Sequence, residues 1–154
     1  MAQDRHTFAL SLVTPEGPAF EGEVEMLIVP GAAGEIGILA RHAPLVATLK
    51  AGGTRIHIRR DEEIRDFATG PGFFKVEQDR ALALVDDAVD ARHIDQRRAQ
   101  EQLEEARAEL ERLDRGEDTG ADRWQIEQRI LHAQNQLDVY AGGGGGRIRP
   151  RVSG

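Results

Sequence analysis

Proline and glycine divide this chain in two. Five of the six prolines (Pro15, Pro18, Pro30, Pro44, Pro71) and all five phenylalanines lie in the first half. No proline occurs between Pro71 and Pro150, and no glycine between Gly72 and Gly116. Both residues punctuate turns. The first part is therefore built of short, often interrupted segments, and the second has room for long uninterrupted ones. A length of 154 residues suits one small domain plus an appendage. The boundary falls near Ala88–Ala91.

The first part, residues 1–88, reads as strands. Phe8, Leu10 and Leu12 alternate with Thr7, Ala9 and Ser11. After a turn at Thr14-Pro15-Glu16-Gly17, Glu21, Glu23 and Glu25 alternate with Gly22, Val24 and Met26, giving one solvated and one buried face. Arg55-Ile56-His57-Ile58-Arg59 alternates as well, with His57 facing out. Turns are expected at Asp61-Glu62, Gly70-Pro71-Gly72 and Gln78-Asp79-Arg80. Strands at this spacing predict an antiparallel β-sandwich or flattened barrel.

Residues 89–141 read as an antiparallel α-helical hairpin. Ala99, Leu103, Ala106, Leu110 and Leu113 form one apolar stripe, and Ile126, Ile130, Ala133, Leu137 and Tyr140 form another at the same spacing. The polar link Asp114–Ala121 contains Gly116 and Gly120. Asp122 with Gln125 reads as a capping box at the start of the second helix. So narrow a seam buries little, which makes the hairpin marginal unless it docks on something. The end of the chain, residues 142–154, opens with five glycines and continues Arg147-Ile148-Arg149-Pro150-Arg151. It is expected to be a flexible basic tail.

Several functions are disfavoured by chemistry. A formal net charge of −7 suits duplex nucleic acid poorly. With no cysteine there is neither a thiolate nucleophile nor a Cys-ligated zinc. His6, His42, His57, His93 and His132 have no metal-ligand spacing. The adjacent acids Glu62-Glu63 and Asp86-Asp87 point opposite ways along a strand, so neither pair readily shares a proton, and Glu104-Glu105 is a solvated helix face. The glycine-rich stretch Pro30–Leu39 lacks Gly-Lys-Ser/Thr and carries Glu35, which repels phosphate. It reads as a tight exposed loop. No apolar run is long enough for a membrane helix. The first residues show no basic-then-apolar leader, so a cytoplasmic chain is the default.

The motifs resemble one family. Thr14-Pro15-Glu16-Gly17, Phe20-Glu21-Gly22-Glu23-Val24, Val29-Pro30-Gly31, Gly34-Glu35-Ile36-Gly37-Ile38-Leu39 and His42-Ala43-Pro44-Leu45 look like the epsilon subunits of F-type ATP synthases, in order and in spacing. Gly70–Val76, Ala83–Ala88 and Ile94-Asp95-Gln96-Arg97-Arg98-Ala99 extend the likeness to roughly residues 5–141. The resemblance implies a non-catalytic rotor subunit at the foot of the central stalk. Its sandwich would pack against the gamma subunit and the c-subunit ring. Its hairpin would lie on the sandwich or extend toward the alpha and beta subunits, where it brakes ATP hydrolysis. Such a subunit is peripheral to the cell membrane on the cytoplasmic side. The resemblance implies a c-ring contact at Glu35 and at His42, in the His-Ala-Pro turn that follows.

Some bacterial members bind ATP between the helices through an Ile/Leu-Asp-x-x-Arg-Ala motif, here Ile94, Asp95, Arg98 and Ala99. The chain departs from those members at Glu105, His132 and Gln136, where basic residues would help. A charge-assisted hydrogen bond to phosphate is worth about 1.5–3 kcal/mol, and these three side chains supply none. Asp95 and Arg98 also read as a helix cap with a local ion pair. Two readings from other classes stand beside the rotor. One is a stand-alone nucleotide-sensing regulator binding ATP between the helices. The other is a sandwich-fold enzyme, which the lack of a nucleophile, ligand cluster or shared carboxylate pair opposes.

Overall fold

The computed structural model describes residues 6–59 and 62–142. The basic tail and Asp61 of the expected Asp61-Glu62 turn lie outside them. Ten strands come first: β1 Phe8–Thr14, β2 Gly17–Val24, β3 Met26–Gly31, β4 Gly34–Leu39, β5 Leu45–Leu49, β6 Gly52–Arg59, β7 Glu63–Thr69, β8 Gly72–Glu77, β9 Arg80–Val85 and β10 Ala88–Asp90. A single 3-10 turn, Ala91–His93, leads into helices α1 Gln96–Asp114 and α2 Arg123–Ala141.

The strands are hydrogen-bonded in the order β10-β7-β6-β3-β5-β8-β9-β1-β2, with β4 on the other edge of β3. β3 and β5 share one pair, Gly31 with Leu49, and the sheet folds over at that corner. One layer is β10-β7-β6-β3-β4 and the other β5-β8-β9-β1-β2. β2 comes back against β6, so the sandwich is nearly closed.

Alternating side chains fill the space between the layers. Phe8, Leu10 and Leu12 of β1 face Val24, Leu27, Val29, Ile38, Leu49, Ile56, Phe74 and Val76, all essentially inaccessible. Each such side chain contributes about 1.5–3 kcal/mol by leaving water. The sandwich is not wholly antiparallel as expected, because β1 and β9 pair in parallel. A parallel pair needs a long crossover, and the seven intervening strands supply it.

Gly72 shows why the turn before β8 needs glycine. A Cβ there would stand 1.9 Å from the Leu84 carbonyl oxygen. Gly72 is the register partner of both Leu49 and Val85, where three strands crowd together.

The alternation across β2, β3 and β6 departs from the sequence reading at two acid–base positions. Glu25 is buried rather than solvated, because it lies at the break where the chain leaves β2 for β3. Arg55 is buried as well. Its Nε donates to Asp66 Oδ1 at 3.0 Å across β6 and β7. Arg55 and Asp66 lie on the outer face of β6 and β7, and α2 packs over that face.

Both helices begin as the capping rules require. Asp95 accepts a bond from the Arg98 N–H, and Asp122 with Gln125 forms the expected reciprocal box. α1 ends in a Schellman motif: Gly116, at φ 87°, donates to Leu113 O, and the Glu117 N–H donates to Arg112 O. Ala99, Leu103 and Ala106 meet Ile126 and Ala133 along the seam, all of them buried. Tyr140 does not continue the stripe; it is 41% exposed, and Val139 is buried instead. The end of α2 turns its apolar contact toward the sheet, where Val139 packs with Ala68 and Ile94.

Candidate functional site

Glu35 and His42 lie at opposite ends of the sandwich. Glu35 is an exposed residue of β4, just past the Ala32-Ala33 turn, paired in register with Pro30. The stretch Gly34–Leu39 is thus a strand of a hairpin rather than a loop. His42 follows the far end of β4, and β5 then runs back so that Leu49 pairs with Gly31. At that far end the Arg41 N–H donates to Asp79 Oδ1 at 2.6 Å, tying the His42 turn to the β8–β9 turn. His42 Nδ1 lies 2.6 Å from the carbonyl of Ala43 and donates to it, which leaves Nε2 as the outward nitrogen. A contact that holds both residues has to span the length of β4.

The residues of the Ile-Asp-x-x-Arg-Ala motif have structural work in this fold. Ile94 and Ala99 are buried, Asp95 caps α1, and the Arg98 side chain is exposed. None of the four lines the cleft of about 660 Å³ that separates the hairpin from the ends of the sandwich strands. Its walls are Lys50, Gly70, Pro71, Asp86 and Asp87 from the sandwich, Gln102 and Glu105 from α1, and Gln128, Arg129, Leu131, His132, Asn135 and Gln136 from α2. Arg129 is engaged by Glu109. Three carboxylates face Lys50 and His132, so the wall is a poor seat for a polyphosphate.

Specific polar bonds hold the hairpin down. Asn135 Nδ2 donates to Gly52 O at 3.2 Å and Thr69 O at 3.1 Å, joining α2 to β6 and β7. His132 Nδ1 lies 3.3 Å from Asp87 Oδ2. Below α2, burial pushes the Asp66 carboxyl up from its ordinary value, against the bond from Arg55.

Asp90 joins sandwich to hairpin. Burial pushes its carboxyl up, but the side chain and N–H of Arg92, together with Arg65, outweigh this and hold it well below the usual carboxylate range. Arg65 bonds Asp90 Oδ2 at 2.8 Å and lies over the rings of Phe20 and Phe67, 5.7 and 5.4 Å from their centroids.

The opposite layer carries a surface absent from the sequence reading. On the outer side of β5, β8, β9 and β1, one cross-strand row is Thr48, Phe73, Leu84 and Val13, and the next is Val46, Lys75, Leu82 and Ser11. Val46 is 71% exposed, Phe73 61% and Leu84 45%. Four large apolar side chains thus share one sheet face that neither helix covers. The signal was present: Phe73-Phe74 and Ala81-Leu82-Ala83-Leu84-Val85 are apolar on both faces, as strands covered on both sides are. Among the described residues no group of acids and histidines could hold a metal ion, and no helix is long and apolar enough to cross a membrane.

Comparison with known proteins agrees with this architecture. Residues 7–91 match the family described as ATP synthase, Delta/Epsilon chain, beta-sandwich domain. The ATP synthase epsilon chain of Rubrobacter xylanophilus is 34% identical over 148 residues, covering 95% of this chain and all of that one. That of Bacillus cytotoxicus is 37% identical over 133 residues, 86% of this chain and 96% of that one. A chain in the structure of the Euglena gracilis mitochondrial ATP synthase, solved with OSCP, F1 and the c-ring, shares the fold. Its TM-score is 0.69 at 20% identity, over 92% of this chain and 84% of that one.

Proposed function

The chain belongs to the family of ATP synthase epsilon chains, and from that premise we propose how its two sheet faces and its hairpin divide the work of a rotor subunit. As an epsilon chain it is a central-stalk subunit of the F-type synthase, with the gamma subunit and the c-ring as partners, and it couples c-ring rotation to ATP synthesis. It makes no bond itself. Torque passes through surfaces, and a stiff, nearly closed sandwich supplies them.

The observation that carries the reading is the uncovered apolar face of Val46, Phe73, Leu82 and Leu84. Apolar side chains on one rigid sheet face are the usual mark of a protein partner. Gamma packs there. The His42 turn, at one end of β5, borders that interface. The c-ring contact belongs to the β3–β4 hairpin at the other end, where the exposed Glu35 carboxylate meets a basic or amide-bearing ring loop. The hairpin packs on β6 and β7, on the other layer, so it is free to leave without disturbing the gamma contact. Released, it reaches the alpha and beta subunits and brakes hydrolysis. The subunit is peripheral to the cell membrane on its cytoplasmic side.

The test is co-purification with gamma. A Phe73→Glu/Leu84→Glu chain should keep its circular dichroism and lose gamma binding by tenfold or more, since buried hot-spot positions typically cost at least about 2 kcal/mol. Binding equal to wild type would remove gamma from this face.

A further inference from the structure

We propose that the contact between His132 and Asp87 is a pH-sensitive latch that holds the helical hairpin on the sandwich; it rests on the reading above that the hairpin has a released state. Asp87 belongs to the sandwich, between β9 and β10, and His132 belongs to α2. The Nδ1–Oδ2 distance of 3.3 Å therefore bridges the two parts that must separate.

The second ring nitrogen is also held. Gln136, one turn along α2, places its side-chain amide 2.8 Å from His132 Nε2. A neutral imidazole accepts there from the amide nitrogen, and a protonated one donates to the amide oxygen after a flip. In both states Nδ1–H points at Asp87. Only the charge on the ring changes, and with it the strength of the bond.

The surroundings give that charge its weight. From the sandwich, Asp86, Asp87 and Lys50 face the cleft and Glu16 adds its negative field; Glu105 faces it from α1; from α2 come His132 and Arg129, the latter engaged by Glu109. Without a proton on His132, four carboxylates oppose Lys50. Burial pushes the Asp87 carboxyl up in the docked state, opposed by His132 and reinforced by Asp86 and Glu16. A carboxyl raised in this way favours docking at low pH and disfavours it once ionised. Loss of the imidazolium acts in the same direction. The docked state therefore weakens as pH rises.

The chain has no cysteine, so a Glu77→Cys/Asp118→Cys pair carries two spin labels alone, and pulsed dipolar spectroscopy on the full chain reads docked and released distances. His132 and Asp87 are each partly exposed, so the released-to-docked ratio should rise about two- to fivefold between pH 5.5 and 8.0. His132→Gln and Asp87→Asn should flatten the profile, and His132→Arg should keep the hairpin docked across the range. A released population that ignores pH, or a His132→Gln chain with the wild-type profile, overturns the latch alone. A hairpin that stays docked at every pH, in every variant, overturns the latch and the released state with it.

Discussion

At the scale of single residues, the joint between sandwich and hairpin depends on Asp90. It accepts from the Arg92 N–H at 2.9 Å and is flanked by the Arg65 and Arg92 guanidinium groups. Asp90→Asn should cost about 1–3 kcal/mol at neutral pH. A carboxyl held low in the folded state contributes fully above its unfolded value, about 3.9, and the contribution fades as pH falls below that. Urea unfolding at pH 7 and pH 2.5 should show a wild-type advantage that shrinks in acid. Gly72 and Gly37 offer a second contrast. A Cβ at Gly72 would collide with the backbone of Leu84 and Val85, whereas one at Gly37 meets nothing within 4 Å. Gly72→Ala should cost about 1–3 kcal/mol and Gly37→Ala less than about 0.5 kcal/mol. Thermal melts of the pair would expose an error in the packing of β8 between its neighbours.

At the scale of elements, strand alternation and helix caps were legible in the sequence because they are local. Phe8, Leu10 and Leu12 declare a buried face by period alone, and Asp122 with Gln125 declares a helix start within four residues. What the sequence left hidden is the second face of α2. Its seam with α1 follows one stripe, but Asn135, Val139 and His132 face the sandwich, and two faces on one helix blur the periodic signal. The same contact explains the misread Arg55: a strand face reads as solvated until a helix from 80 residues later covers it. Asn135 measures that contact. Asn135→Leu removes the bonds to Gly52 and Thr69 and leaves their carbonyl oxygens without that donor. Amide protection in α2 should fall by about five- to thirtyfold, corresponding to about 1–2 kcal/mol. The β1–β9 core should keep its protection. Hydrogen exchange resolved by peptide separates the two, and equal loss in both would mean that hairpin and sandwich unfold as one unit.

At the scale of the whole molecule, the uncovered apolar face and the hairpin belong to different layers. The apolar face of Val46, Phe73, Leu82 and Leu84 lies on the β5-β8-β9 layer, while α2 rests on β6 and β7. Removing the hairpin should therefore leave the gamma interface intact. The cut must respect β10, whose Asp90 pairs with Phe67, so truncation belongs after His93 rather than within the last strand. That chain loses both Ile94 and Val139 from the cluster with Ala68, and exposes the buried Arg55–Asp66 pair. Wetting the pair relieves the burial that now raises the Asp66 carboxyl, and an ion pair returned to water costs little. The core between the layers is untouched, so the truncated sandwich should fold and bind gamma within about threefold of the full chain. If the released hairpin is the brake, the catalytic complex assembled with the truncated chain hydrolyses ATP faster than with the full one. Unchanged hydrolysis with gamma still bound would leave the sandwich as the rotor clamp and deny the hairpin its regulatory role. Loss of gamma binding would instead show that the hairpin side, and not the apolar sheet face, carries the stalk contact.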